Sequence, residues 1–453
     1  WGVLVPSGPH MMTPACRGPC GGPALLMAQQ KARQSHTAAR FEPRLPRPGW
    51  GARQASPPAD PRGALSARLR GVWGGLRAST PNTHGTNIRG GPVDPYVEVS
   101  NLLSVAPFEE VVGAQAWVAA DYAGSEEWVL RLSDVEVGEV LSAVEGIQAS
   151  GKALTLTTKE DFPLPTLGPK LAEILAEVVE GRGFSLLKGL PVGEMTRGQQ
   201  VTAYWGIGCH LGRAVSQNAK GHLIGHVRDI GHDPKDPTTR IYATKAAQPY
   251  HTDSADVVCL LCLDTAMEGG SSSFTSSVSI HNAMLRARPD LVRVLAEPFL
   301  VDRKGEVPAG QKGYYPMPVF HYFGGHLTAV YARGFIQAAQ RFEEVPRLTP
   351  AQLEALDMVD ALAASDELRL DMWLEPGDIQ VLHNHQIVHA RSEFTDWPGD
   401  DGRKRHLLRL WVTPPNARPL PAAFAERYGS VDVATRGGIR CPGVEMTVPL
   451  EPC

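Results

Sequence analysis

Apolar residues recur at Leu171, Ile174, Leu175, Val178 and Val179, three and four positions apart, which lines them up along one stripe of a helix. Pro169 suits the first turn of that helix, where its missing N–H would have no partner anyway, and Gly181 supplies a stop. Upstream, Ser133 and Glu136 have the spacing of a capping box and open a helix that continues through Val137 to Val144. Thr196 to Trp205 reads as another helix, and two more are expected near 278–296 and 349–364, the latter opened by Thr349, Pro350 and Gln352. Elsewhere the apolar runs are short and strand-like: Phe184 to Leu187, Val257 to Leu263, Leu368 to Leu374, Ile379 to Leu382 beyond a turn at Glu375-Pro376-Gly377-Asp378, and Arg405 to Val412. Helices followed by many short strands between Gly, Pro and Asp turns predict an α+β chain built around an antiparallel sandwich or jelly roll. No internal repeat interrupts that order.

Composition divides the chain in two. Residues 1–92 carry 12 Lys plus Arg against only Glu42 and Asp60, a charge of +10, which leaves −14 on the other 361 residues. The same stretch holds 27 Gly plus Pro and no sustained apolar period, so it cannot bury enough surface to offset chain entropy and is expected to be a disordered leader. An Arg-rich, acid-poor leader fits a transit peptide, while the opening at Trp1 and the internal Met11, Met12 and Met27 equally fit a fragment or translated upstream sequence. Residues 93–453 are expected to form the folded domain. A net charge of −4 gives no basic surface for nucleic acid, and no run of 18 or more apolar residues suggests a membrane span. The expectation is a soluble cytoplasmic protein, with mitochondrion or plastid left open by the leader. Seven cysteines without regular spacing do not suggest a disulfide scaffold, and the C-x-x-C of Cys259 and Cys262 lies inside a run that reads as a buried strand.

Chemistry enters at His251-Thr252-Asp253, where an imidazole and a carboxylate stand two residues apart before the Val257 strand. On extended backbone such residues point to one side and can share a metal ion, although a plain turn has the same pattern. His389 follows 136 residues after Asp253 and precedes the strand bearing Arg405 and Arg409, which share a face with Leu407 and Trp411. Inward-pointing cations among apolar residues are expensive to bury without anionic partners, unless they are satisfied structural arginines or the other face of the strand is the core. Two histidines and a carboxylate with open positions form the facial triad of non-haem Fe(II) oxygenases. His383-Asn384-His385 offers an alternative H-x-H pair, but the step from His389 into the arginine strand favours His389, leaving His385 a supporting or structural role. His210, His222, His226 and His232 read as surface or core residues, and Tyr242, Gln248 and Tyr250 as pocket walls or packing.

From about Asp121 to Tyr428 the chain resembles the taurine dioxygenase-like (TauD/TfdA) group of Fe(II)/2-oxoglutarate oxygenases, most specifically through Gln248 to Asp253, Gly269-Gly270-Ser271-Ser272, and His389-Ala390-Arg391 with Arg405 and Arg409. The resemblance implies a double-stranded β-helix core with flanking helices and Fe(II) ligands His251, Asp253 and His389. It also implies 2-oxoglutarate and O2 as co-substrates, Arg409 on the distal carboxylate, Arg405 near the C1 carboxylate or another anion, and a hydroxyl from Ser272. The 20 residues from His389 to Arg409 exceed the family spacing, and Asp396 to Gly402 reads as the loop that takes up the excess. The implied reaction hydroxylates a small organic molecule, an anionic one included, with release of succinate and CO2. A metal-dependent hydrolase or isomerase on the same barrel and a non-catalytic homologue are the alternatives. The oligomeric state, a homo-oligomer included, is open.

Overall fold

The structure, a computed structural model, describes residues 108–453 except 237, 400–402, 440–442 and 453. The 1–92 leader lies outside the described residues, as does part of the 396–402 loop. The described residues belong to one compact unit, Ile88–Cys453.

Helix α1 (Asp134–Ser150) starts at the expected capping box, with the Glu136 carboxylate accepting the Ser133 N–H at 2.8 Å. Helix α2 (Leu167–Val179) starts two residues before Pro169, because Glu139 of α1 accepts the Thr166 and Leu167 N–H groups at 2.8 and 3.0 Å and caps the helix from outside. Such a long-range cap leaves no local signature. Helix α3 (Arg197–Leu211) is capped by Thr196 and runs on past Trp205. It is buried on most sides, and a Cβ on Gly208 would lie 2.2 Å from Leu410 Cδ2, so glycine there permits close packing onto the sheet. The stretch expected as one helix near 278–296 is two, α4 (Ser277–Ala287) and α5 (Pro289–Leu295), divided at the residue before the proline. Helix α6 is Arg333–Ala338, and α7 (Pro350–Ala363) begins at its Thr349 cap. A short α8 (Ala425–Tyr428) follows.

Eleven strands build two sheets: β1 (Val129–Arg131), β2 (Phe184–Lys188), β3 (Arg213–Ala214), β4 (Ile224–Val227), β5 (Gln248–His251), β6 (Val257–Asp264), β7 (Ser272–Ser276), β8 (Arg369–Met372), β9 (Ile379–His383), β10 (Ile387–Arg391) and β11 (His406–Thr413). The larger sheet runs β1-β2-β9-β6-β11-β3, with β4 also on β11, and only β1 and β2 pair in parallel. The smaller runs β8-β7-β10-β5, antiparallel throughout. Alternation on β6 and β11 sends Val257, Cys259, Leu261, Leu408 and Leu410 toward α1–α3. The opposite faces send Val258, Cys262, Leu407 and Trp411 toward Phe274, Met372 and Ile387 of the smaller sheet. Helices α4, α5 and α7 share a further core with Val388. The result is a mixed arrangement of helices and two facing sheets. Cys259 and Cys262 are free and buried in β6, and burial pushes both thiols up to about 12. Among the described residues no helix is long and apolar enough to cross a membrane.

Candidate active site

Sheet register brings the first two candidate ligands together: His389 of β10 is the direct cross-strand partner of His251 of β5. Their rings lie 4.3 Å apart between centroids. Strand β5 ends at His251, so Asp253 reaches the pair from the turn beyond it and not from extended strand. That turn is fixed from two sides. Thr252 exchanges hydrogen bonds with the Tyr331 backbone at 2.7 and 3.0 Å, and the Asp253 N–H donates to Asn384 Oδ1 at 3.1 Å. Asp253 then lies 3.7 Å from His251 Nε2 and 3.8 Å from His389 Nε2. One donor atom from each residue falls within 4.8 Å of the others, and among the described residues only this group of three has such geometry.

The electrostatics suit a cation. Burial alone would raise the Asp253 carboxyl, but the Arg409 guanidinium beside it overcomes that and holds the group well below the usual carboxylate range. Trp411 Nε1 donates to it at 3.0 Å and Arg409 Nη1 at 3.3 Å. Burial lowers His389 to about 3, and burial also lowers His251. Both rings are therefore neutral with nitrogen lone pairs available. His251 Nδ1 lies 2.9 Å from the Pro249 carbonyl, which places the ring proton there and leaves Nε2 facing Asp253.

The same cavity takes in Gln248, Tyr242, Ser272, Arg391, Arg405 and Arg409; Tyr250 packs instead with the α4–α7 core. The arginines differ in their partners. Arg409 is satisfied: its Nε donates to Gln217 Oε1 at 2.8 Å, its Nη1 reaches Asp253, and the guanidinium stacks on Tyr242 and Trp411. Arg405 donates through Nη2 to the Gly270 carbonyl at 3.3 Å, but its Nη1 is buried without a partner. Arg391 donates through Nη2 to the Thr244 and Ala246 carbonyls, while its Nε and Nη1 are buried without partners. Both guanidiniums lie against the Phe394 ring. Burial lowers both to about 10, with each other's charge adding to the shift at Arg391. Ser272 is the register partner of Arg391 and is buried beside them. Among the described residues neither buried cation has a carboxylate within ion-pair distance, and together they make a slot for an anion.

His385 is elsewhere: its Nε2 pairs with Asp256 at 2.8 Å, and Asp256 also binds Arg436 at 2.7 Å. His383 faces Arg418. His226 pairs with His406 at 2.8 Å, and His210 with the Phe162 carbonyl at 2.8 Å. The sequence reading did not assign Gln217 or Asn384 to the site, and nothing in their local pattern marks them; Trp411 was legible only as sharing the Arg409 face.

The profile of the taurine catabolism dioxygenase TauD, TfdA family matches residues 150–411. This chain belongs to the TauD/TfdA family. It is 31% identical over 328 residues to FR-33289 synthase of Streptomyces rubellomurinus, covering 70% of this chain and 95% of that one. To the taurine hydroxylase-like protein of Stachybotrys chartarum it is 33% identical over 318 residues, 66% of this chain and 81% of that one. A solved asparagine oxygenase, in complex with Fe(II), 3-hydroxyasparagine and succinate, aligns with a TM-score of 0.49 at 19% identity, covering 63% of this chain and 93% of that one. Family membership makes the TauD/TfdA chain an oxidoreductase, a dioxygenase that uses Fe(II), 2-oxoglutarate and O2. The hydrolase, isomerase and non-catalytic readings are thereby set aside.

Proposed function

We propose that this TauD/TfdA chain hydroxylates a small organic molecule while converting 2-oxoglutarate to succinate and CO2, with iron held by His251, Asp253 and His389. A bound ferrous ion supplies the activation of O2 that the side chains cannot. The single observation that carries the assignment is the cross-strand pairing of the two neutral imidazoles over a carboxylate kept ionised. The two facing sheets are read as the walls of a double-stranded β-helix, and the catalytic domain as residues 93–453.

Within this reading the two arginines exchange the roles first expected of them. Arg409 is engaged by Asp253 and Gln217, so its task is to keep the carboxylate ionised and face the ligand atoms nearest the metal. Arg405, with its free Nη1 and Arg391 and Ser272 alongside, receives the distal carboxylate of 2-oxoglutarate, for which a rigid guanidinium fork is suited. Gln248, whose amide lies 2.8 Å from His251 Nε2, gives way when that nitrogen takes a ligand.

The test is anaerobic addition of Fe(II) and then 2-oxoglutarate, followed by the visible charge-transfer band of the chelate, with succinate measured on admission of O2. The wild-type chain is expected to give the band and His389→Ala to lose it with its fold intact by circular dichroism. A full band in His389→Ala would refute the ligand set.

A further inference from the structure

The side chains of the triad are held from different walls. His251 and His389 stand on β5 and β10 of the smaller sheet. The Asp253 carboxylate is gripped instead by two donors from β11 of the larger sheet, Arg409 and Trp411. Those residues are two apart on an extended strand, so both side chains leave the same face. Trp411 is fully buried in the core it shares with Val258, Phe274 and Ile387, and the Arg409 guanidinium lies over its ring at 4.6 Å. An indole offers one N–H and no acceptor, so packing of the ring fixes the direction of a single donor.

The two carboxylate oxygens are not equivalent. Oδ2 accepts from Trp411 Nε1 at 3.0 Å and shares Arg409 Nη1 at 3.4 Å. Among the described residues Oδ1 has only the other half of that shared contact, at 3.3 Å. Arg409 stands about equally far from both oxygens and cannot distinguish them; Trp411 does. Turning Oδ2 toward a cation would leave a buried indole N–H without an acceptor. An unrestrained carboxylate can close on a metal with both oxygens, and would then fill a position that a chelating keto acid and O2 require.

We propose that Trp411 is a positioning residue that restricts Asp253 to one ligating oxygen: its indole N–H retains Oδ2, and Oδ1 meets the metal. The inference rests on the ligand set His251, Asp253 and His389. Arg409 supplies charge to the carboxylate and Trp411 supplies its orientation.

The test counts metal-bound water by proton relaxation in the full chain loaded with Mn(II). Three proteins are compared: wild type, Trp411→Phe, and a chain carrying benzothienylalanine in place of Trp411, an isostere that keeps the bicyclic shape and lacks the N–H. Without the donor, Asp253 closes on the ion with both oxygens and displaces a water. The isostere is therefore expected to bind Mn(II) at least as tightly as wild type and yet to lose about a third of the inner-sphere relaxivity, since one of the positions that the triad leaves open is taken. With 2-oxoglutarate saturating, it should lose nearly all of the inner-sphere relaxivity that wild type retains. Trp411→Phe is expected to share the loss, and should it fail to fold by circular dichroism the isostere decides. Loosened packing would act in the opposite sense, admitting water and weakening the ion. Unchanged relaxivity in the isostere, or weaker Mn(II) binding than wild type, would overturn the proposal. A wild-type chain that binds no Mn(II) would instead refute the ligand set, and this inference with it.

Discussion

Replacing Arg405 by Met separates the two roles that a buried, unpaired cation must play. In the ligand-free protein the Arg405 side chain is 4% exposed, with Nη1 unpartnered and its pKa lowered from 12.5 to about 10 by burial. At about 1.4 kcal/mol per pKa unit, keeping it charged costs roughly 3 kcal/mol. Methionine fills much of the same volume without that cost, so Arg405→Met is expected to leave the ligand-free protein as stable as wild type or more so. Binding should move the other way. Loss of two charge-assisted hydrogen bonds, each about 1.5–3 kcal/mol, weakens 2-oxoglutarate by more than about a hundredfold. At a concentration a hundred times its dissociation constant, 2-oxoglutarate stabilises the wild type by about 2.7 kcal/mol; a hundredfold loss leaves about 0.4 kcal/mol. Denaturant unfolding of the Mn(II)-loaded proteins, with and without 2-oxoglutarate, reads both quantities. A variant that loses more than about 2 kcal/mol without ligand yet keeps the full ligand-induced gain would show that Arg405 is a structural residue and not the carboxylate anchor.

Asp256→Asn should cost about 3–5 kcal/mol in urea unfolding, because it leaves the fully buried Arg436 without its counter-ion and, with the amide oxygen kept toward His385, sets an NH2 donor against the Arg436 Nε that donates to Oδ2. His406, held down to about 2 by burial, Arg197 and His226, and His321, held down to about 3 by burial, are neutral in the folded protein and take up protons on unfolding. Their contribution to stability is complete above pH 6.5 and is lost as pH falls from there toward 3, by about 1.4 kcal/mol for each at pH 5.5; His406→Gln should flatten that slope, as measured by unfolding at several pH values. Gly377→Ala should destabilise by about 2 kcal/mol or more in thermal unfolding, since φ is +92° and a Cβ would stand 2.0 Å from the Leu190 carbonyl oxygen.

What the sequence made legible was what local chemistry decides. The capping boxes at Ser133 and Thr349 begin helices as expected, and the helix read from Thr196 proves to start at one too, because such hydrogen bonds close within four residues. The alternation through Val257–Asp264 and His406–Thr413 marks central strands. The convergence of His251, Asp253 and His389 was legible through their spacing and through family likeness. Long-range features were not: the start of α2 depends on Glu139, and Gln217 reaches Arg409 from a loop far upstream. The resemblance implied Arg409 on the distal carboxylate of 2-oxoglutarate and said nothing of Gln217 or Asp253 as its partners, since which of two inward arginines is already engaged depends on neighbours that no spacing encodes. The buried Asp256–Arg436 pair spans 180 residues and likewise has no sequence signature.

The pairing of His251 with His389 has a consequence for assembly. A slip of one residue between β5 and β10 would turn one imidazole to the opposite face, and Asp253 is steadied by Trp411 from the other sheet. An ion gripped there would act as a rivet through both walls, joining segments that the chain supplies far apart. Iron loading would then report native strand pairing, and chelation should loosen the β5–β10 pair before the helical flanks.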